Sequence, residues 1–332
     1  MFYIVINPTA RSGRGMKIWQ DLRKELDDKQ VEYRYYYTAK NRSAGTIAKC
    51  ILNKDKGLIN LILLGGDGTV NETVNGIAAA GDKCFERLKL CYIPTGSASD
   101  LARALELPDD PHECLRRILA ADGQKIQGMD GNVSAAEERR TDLGLLTYND
   151  AQKAELNGHR RFFIVSAGIG FDAAVCAEVA HSRLKKFFNK LGLGGLVYGF
   201  ICVKGLLTAP RADCNIYMDG ERMYPARDCI LTAVMNHKYQ GGGVMFAPEA
   251  DSTDGMLDLC FTDRMSRHRV MMTFPKAYSG AHVGTKGICM DRASSLHITS
   301  SQMLYVHTDG EVATKAMDIS IKCLPGKLRL MV

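Results

Sequence analysis

An α/β domain followed by a strand-dominated domain with a helical insert is the fold this sequence predicts, and three observations predict it. Residues 1 to about 121 alternate short β-branched runs with helical periods. A polar, turn-rich stretch, Asp122 to Arg161, then breaks the pattern, and beyond it strand-like runs dominate. With 332 residues, 46% of them hydrophobic, the chain has core enough for two domains, placed at 1–125 and 126–332.

The first strand is Tyr3–Ile6, and the helix after it, Met16–Lys29, puts Ile18, Trp19, Leu22 and Leu26 on one face. Val31–Tyr37, Leu58–Leu64 and Leu88–Ile93 continue as strands, with helices at Ala44–Asn53, Glu72–Ala80, Asp100–Leu105 and Pro111–Ala121. This βαβα order implies a mostly parallel sheet covered on both faces. Asp122-Gly123, Asp130-Gly131, the Glu137–Arg140 charge cluster and Asn157-Gly158 read as turns, so the linker lies there. Strands then follow at Phe162–Ala167, Asn215–Met218, Cys229–Met235, Leu257–Phe261, Leu296–Thr299, Leu304–His307 and Ile319–Leu324, interrupted by a helical insert from Ala173 to Leu207. Met271, Met272 and Phe274 read as a core stripe, and His282 as a structural or surface group.

Composition narrows the function. The net charge of +6 is spread evenly and gives no dense cationic groove for nucleic acid. Eleven cysteines without a C-x-x-C pair suggest neither a disulfide scaffold nor a zinc ribbon, and fit a reducing cytoplasm. The N-terminal apolar run lacks a basic leader, and the longest uncharged stretch, Leu191–Val203, is 13 residues, short of the roughly 20 a membrane span needs.

The strongest local signal is Gly65-Gly66-Asp67-Gly68-Thr69-Val70-Asn71-Glu72, set between an apolar strand and a helix. Such a turn offers backbone N–H groups and a helix N-terminus to a phosphate chain. The plainer alternative is a tight turn capped by Thr69 or Asn71. Asp67 tilts the choice, since a carboxylate at an anion-binding turn suits a divalent metal or a proton taken from the phosphoryl acceptor. No Walker P-loop and no G-x-G-x-x-G after the first strand occur, which disfavours Walker ATPases and ordinary dehydrogenases. Thr95-Gly96-Ser97-Ala98-Ser99-Asp100 forms a second strand-to-helix turn, with an N-cap by Ser99 or Asp100 as its alternative, and Asn7–Gly15 forms a third. Asp251 and Asp254, three residues apart in a loop, can share one hard cation with the carbonyl of Met256, or be a solvated turn.

Taken in order, the Asn7-Pro8 loop, Gly65–Glu72, Pro94–Asp100, Gly168–Ala173, Gly241-Gly242-Gly243, Ala247–Ala250, Asp254-Gly255 and Asp309-Gly310-Glu311 resemble the diacylglycerol kinase and sphingosine kinase-like lipid kinases, across nearly the whole chain. The resemblance implies an N-terminal α/β domain of the NAD kinase and phosphofructokinase type, a C-terminal β-sandwich whose last strand returns to the first domain, and ATP in the cleft. It implies nucleotide contacts from Asn7, Thr38, Gly65, Gly66, Asp67, Gly68, Thr69, Asn71, Glu72, Gly96 and Ser97. Asp67 falls in the catalytic loop, and Glu311 at the position of the general base. Asp100 and Asp172 fall near the acceptor hydroxyl, and Asp251, Asp254 and Met256 match the magnesium site. Asp219-Gly220-Glu221 repeats the triplet and is explained as a hairpin turn. The chain departs from the family in having Ser97-Ala98-Ser99 where an amide is usual, and Arg11 where glycine is usual.

These expectations give an ATP- and Mg²⁺-dependent kinase for a lipid hydroxyl, diacylglycerol first, in the cytoplasm with peripheral membrane association. Its expected partners are lipid at a membrane surface and a second copy in a homodimer, with no nucleic acid. Arg183, Lys185, Lys186 and Lys190 with Phe187 and Phe188 suit an anionic membrane, while burial against the sandwich explains Leu191–Val203 equally well. The rivals are a soluble-acceptor kinase of the NAD kinase type and a nucleotide-binding protein without catalysis.

Overall fold

In the computed structural model, Phe2–Ile6 forms strand β1 with every residue buried, as an interior strand of a parallel sheet requires. The structure describes residues 1–96, 99–122, 134–181, 204–206 and 208–332. They divide into two units, Met1–Asp142 with Gly326–Val332, and Leu143–Pro325.

In the first unit β1 is followed by helix α1 (Arg14–Asp28), β2 (Tyr33–Tyr37), α2 (Ala44–Lys54), β3 (Ile59–Gly65), α3 (Asp67–Ala80), α4 (Cys84–Arg87), β4 (Leu88–Pro94), α5 (Asp100–Ala104) and α6 (Pro111–Ala121). The strands run parallel in the order β2-β1-β3-β4, and Arg329–Met331 adds a further parallel strand beside β4. Trp19, Leu22 and Leu26 of α1 and Leu115, Ile118 and Leu119 of α6 cover one face, packed on Ile4, Ile62 and Ile93. Ser43 caps α2 by accepting the N–H of Thr46, and Asp110 caps α6 by accepting that of His112. The order reverses between β1 and β3, so the crevice for a ligand lies at the carboxyl ends of those two strands.

The stretch expected to be a linker contains a strand, β5 (Glu138–Ala151). Its turn-like charges find partners: Glu138 pairs with Arg329 and Lys89, and Arg140 with Glu86. Sequence patterning could not reveal those distant counter-charges.

The second unit continues with β6 (Arg160–Phe163), β7 (Ser166–Gly170), α7 (Phe171–His181), β8 (Ala212–Met218), β9 (Arg222–Cys229), β10 (Leu231–Met235), β11 (Leu257–Thr262), α8 (Arg267–Thr273), β12 (Ile288–Ala293), β13 (Ser295–Thr308) and β14 (Glu311–Met331). The long strand β13 pairs with β8 near its start and with β7 near its end, while β14 pairs along its other edge. Two layers, β12-β11-β10-β7 and β9-β8, diverge from β13 and enclose one apolar core of Ile169, Val234, Leu259 and Phe261 against Cys214, Ile216 and Ala226. This is a β-sandwich. Alternate residues of β10, Leu231, Ala233 and Met235, face outward and are covered by Phe171 and Val175 of α7 and Val270 of α8.

Two strands expected at Leu296–Thr299 and Leu304–His307 are one strand with an irregular register between them. Met272 is not part of a core stripe: it is 65% exposed, whereas Met271 and Phe274 pack on the core. Of the expected helical insert, Ala173–His181 lies within α7; the cation and aromatic cluster from Arg183 to Lys190 and the stretch Leu191–Val203 lie outside the described residues, as does Ser97.

Candidate active site

In the first unit, loops from the carboxyl ends of four strands gather on one edge of the sheet. Asn7 follows β1 and donates from Nδ2 to Thr69 Oγ1 at 3.1 Å, across the point where strand order reverses. Its Oδ1 accepts from the N–H and hydroxyl of Thr9, which fixes the loop as an Asx turn. Thr38 follows β2 and is held by its N–H on the carbonyl of Ile6 at 2.9 Å. Gly65 and Gly66 end β3, and Gly96 follows β4. A Cβ on Gly96 would lie 2.8 Å from Gly66 Cα, so the two turns touch backbone to backbone. Neither loop could approach the other with side chains present.

Helix α3 begins at Asp67 with Gly66 as its N-cap and no side-chain cap. Within this turn the N–H of Thr69 donates to the carbonyl of Gly66 at 2.8 Å, and the helix dipole adds partial positive charge at the same end. That end of α3 therefore matches a phosphate. Asp67 itself reaches sideways: its Oδ2 accepts the N–H of Asp100 at 2.8 Å and its Oδ1 the hydroxyl of Tyr92 at 3.4 Å. Burial and the adjoining Asp67 charge push the Tyr92 phenol well above its usual range, so it stays a neutral donor. Asp67 thus fastens the start of α5 to the start of α3.

Other expected contacts are turned inward. Asn71 is fully buried and accepts from Asn75 Nδ2, and Glu72 Oε2 accepts the N–H of Ala44 at the start of α2. Both brace the turn from behind. Asp100 is buried at 4% exposure and lies 3.8 Å from Arg103.

In the second unit, Asp309 and Gly310 form the two-residue turn between β13 and β14, with φ of 48° and 81°. Positive φ at both positions is why Asp-Gly occupies it. The Asp309 carboxylate accepts three backbone N–H groups, from Ile164, Val165 and Ser166, at 2.8–2.9 Å. Its partner triplet, Asp219-Gly220-Glu221, makes a similar turn between β8 and β9 and holds Ser294 and Ser295 in the same way. What separates the two is the glutamate. Glu311 receives Arg161 Nη2 at 2.9 Å and borders a cavity of about 1090 Å³, where Ala174, Ala177, Ala209 and Pro210 supply apolar wall. Glu221 stands exposed.

Behind this turn sits a buried polar network that the motifs did not reveal. His307 is fully buried; its Nδ1 faces the N–H of Gly310 at 3.1 Å, and its Nε2 lies 2.8 Å from Asp172 Oδ2. Because Nδ1 must accept from an amide N–H, the ring proton of the neutral imidazole resides on Nε2 and points at Asp172. Asp172 is 5% exposed; it also accepts the N–H of Ala173 and, at 3.4 Å, Gln240 Nε2. Gly168 leaves room for this pair, since a Cβ there would fall 1.9 Å from Asp172 Oδ2. The run Gly241-Gly242-Gly243 has φ of 65°, 89° and 104° and closes the loop that carries Gln240 to Asp172. A histidine two residues before Asp-Gly-Glu, in strand register with Gly168, is the signal that could have exposed this network.

The expected metal ligands are engaged otherwise. Asp251 Oδ1 accepts from the N–H and hydroxyl of Thr253, and Asp254 Oδ1 from the N–H of Met256. Arg292 pairs with the other oxygen of Asp254 and, at 3.3 Å, with Asp258. Asp258 is buried beside Glu249 and Asp251, and burial first, then those charges, push its carboxyl up to about 6. Among the described residues no group of three or more His, Cys, Asp or Glu is arranged to hold a metal ion. With a guanidinium already against Asp254, this arrangement does not fit a resident cation.

Comparison with known proteins supplies the context. Residues 1–130 match the family model described as the diacylglycerol kinase catalytic domain, and residues 164–332 match that of the YegS C-terminal NAD kinase beta sandwich-like domain. The chain is 26% identical to "Putative lipid kinase YtlR" of Bacillus subtilis, over 94% of this chain and 93% of that protein. It is 27% identical to a Staphylococcus carnosus protein named diacylglycerol kinase, over 93% of this chain and 87% of that one. A solved Bacillus anthracis structure, reported as a "putative diacylglycerol kinase", has the same fold, with a TM-score of 0.73, 22% identity and coverage of 99% of this chain and 96% of that one.

Proposed function

The chain belongs to the bacterial diacylglycerol-kinase-like family of lipid kinases, and we propose that it transfers the γ-phosphoryl group of ATP to a lipid hydroxyl, with diacylglycerol as the first acceptor and phosphatidic acid as the product. The observation that carries this reading is the placement of Glu311: a carboxylate oriented by Arg161 at the edge of a large, partly apolar cavity. An acceptor hydroxyl on an apolar molecule needs such a setting, with a proton acceptor beside an otherwise greasy wall.

The residues then take these roles. The amide-rich start of α3, with Gly65, Gly66, Gly68, Thr69 and Gly96 around it, binds the triphosphate, and Asn7 and Thr38 border it. Magnesium arrives with ATP as part of the substrate and neutralises phosphate charge during transfer. Glu311 accepts the proton of the attacking hydroxyl. Arg161 holds that carboxylate in one orientation, and His307 with Asp172 braces the turn from which it projects. Asp67 acts by fixing the glycine turn to the start of α5. Catalysis rests on positioning and charge stabilisation rather than on a covalent intermediate.

The test is incubation of the full chain with γ-labelled ATP, Mg²⁺ and separate acceptors: diacylglycerol, monoacylglycerol, phosphatidylglycerol, sphingosine, undecaprenol and NAD. Label in phosphatidic acid is the expected result. Label in another lipid corrects the acceptor, label only in NADP establishes the soluble-acceptor rival, and ATP binding without transfer to any of them rejects the kinase reading.

A further inference from the structure

The excursion between β11 and β12, residues 263–287, contains Arg264, Arg267, Arg269, Lys276 and Lys286 and a single acid, Asp263 at its foot, whose carboxylate is turned to the N–H of Arg227 and the hydroxyl of Tyr224. Within it Met272, Tyr278 and Val283 are 65%, 48% and 48% exposed, three of the most exposed large apolar side chains of the second unit. The inward positions Val270, Thr273 and Ala277 are buried, so α8 and the 3₁₀ turn after it have a defined outer face rather than a loose loop. Arg264, Arg269, Lys276 and Lys286 are exposed and make no ion pair among the described residues. Elsewhere in this unit Arg211, Arg222, Arg227 and Arg292 each meet an aspartate.

We propose that this excursion is the surface by which the protein docks on an anionic lipid bilayer. Unneutralised cations of a single sign are drawn to the negative surface potential of such a membrane, each contributing on the order of 1 kcal/mol near the surface. Exposed Met, Tyr and Val beside them enter the boundary between headgroups and acyl chains, which no aqueous role of this segment requires. The excursion is tied to the cavity that Glu311 borders: Arg267 donates to the carbonyls of Leu206 and Ala209 at 2.8 and 2.6 Å, and Ala209 is part of the cavity wall. A docked excursion therefore holds that wall at the lipid surface. The purpose of the surface rests on the lipid-kinase reading; its binding chemistry does not.

Vesicle sedimentation of the full chain, without ATP, tests it. Vesicles of phosphatidylcholine with about one third phosphatidylglycerol should pellet the wild type in a salt-sensitive way, and pure phosphatidylcholine should not. Met272→Asp with Tyr278→Asp, and separately Lys276→Glu with Lys286→Glu, should each weaken binding about tenfold or more; Lys56→Glu, an exposed charge of the first unit, should not. All variants should keep the wild-type melting temperature and turnover of a short-chain acceptor dispersed below its aggregation limit. Equal pelleting of wild type and both double variants overturns the proposal, as does failure of the wild type to pellet. A change in oligomeric state with unchanged vesicle binding overturns it too, assigning the face to a second copy. Loss of transfer to every lipid with vesicle binding intact would reject the kinase reading alone.

Discussion

His307 Nε2 and Asp172 Oδ2 are 2.8 Å apart in the interior of the second unit, and the other nitrogen of the same ring receives the N–H of Gly310, the residue before Glu311. The ring is thus a strut between a buried carboxylate and the turn that presents the proposed base.

Two substitutions separate the halves of that strut. His307→Asn keeps an acceptor for Gly310, His307→Gln keeps a donor for Asp172, and each should lose about 1–2 kcal/mol by urea denaturation. His307→Ala removes both bonds at once, leaving Asp172 Oδ2 with only the longer contact from Gln240, and should lose about 2–3 kcal/mol. In the two conservative variants kcat should fall while KM for ATP holds. An alanine variant as stable as the wild type would show that the strut carries no load.

Glu311→Gln should reduce kcat about 10²- to 10⁴-fold with KM for ATP unchanged, because only proton transfer is removed. Arg161→Met should give a smaller loss of kcat, since the carboxylate remains but loses its fixed orientation. Full activity of the glutamine variant would move the base elsewhere.

Gly96→Ala forces a methyl group against the backbone of Gly66, and relief must come from moving one turn. The expected cost is about 1–3 kcal/mol of stability together with weaker ATP binding by titration calorimetry. Unchanged affinity in this variant would separate the glycine contact from the nucleotide.

Glu138 accepts from Arg329 and Lys89, which hold its carboxyl at about 2, below the ordinary 4.5. A folded-state value below the unfolded one means that the pair stabilises above about pH 4.5 and that this contribution disappears as pH falls towards 2. Solvent screening at a 31% exposed side chain reduces the effect to about 1 kcal/mol. Glu138→Gln should show that deficit at pH 7 and none near pH 2. A deficit that is the same at both pH values would rule out the ion pair as its source.

Arg292 sits against Asp254 and Asp258, so chelation of divalent cations should leave the melting temperature of the nucleotide-free protein unchanged. Arg292→Met frees both carboxylates, and millimolar Mg²⁺ should then raise its melting temperature by mass action. A drop on chelation in the wild type would contradict the described arrangement.

Much of the fold was legible because its signals are local. The periodicity of α1, the apolar run of β3 and the glycine turn before α3 each announce themselves within a dozen residues. β5 was hidden because its charges are neutralised by Glu86, Lys89 and Arg329, far away in sequence. At the candidate site, Gly65–Thr69 and Glu311 could be read as motifs. The inward turn of Asn71 and Glu72 and the His307–Asp172 strut could not, since they depend on strand register and on which face of a helix meets a neighbour. Met272 shows the reverse error: hydrophobic character alone does not say whether a side chain is inside.

The parallel sheet of the first unit takes its fifth strand from Arg329–Met331, with Leu330 within it and Leu328 just before it fully buried. During synthesis β4 must therefore wait, one edge bare, while more than two hundred further residues leave the ribosome. A fragment of residues 1–142 would keep that bare edge for good, an open template for pairing with another chain.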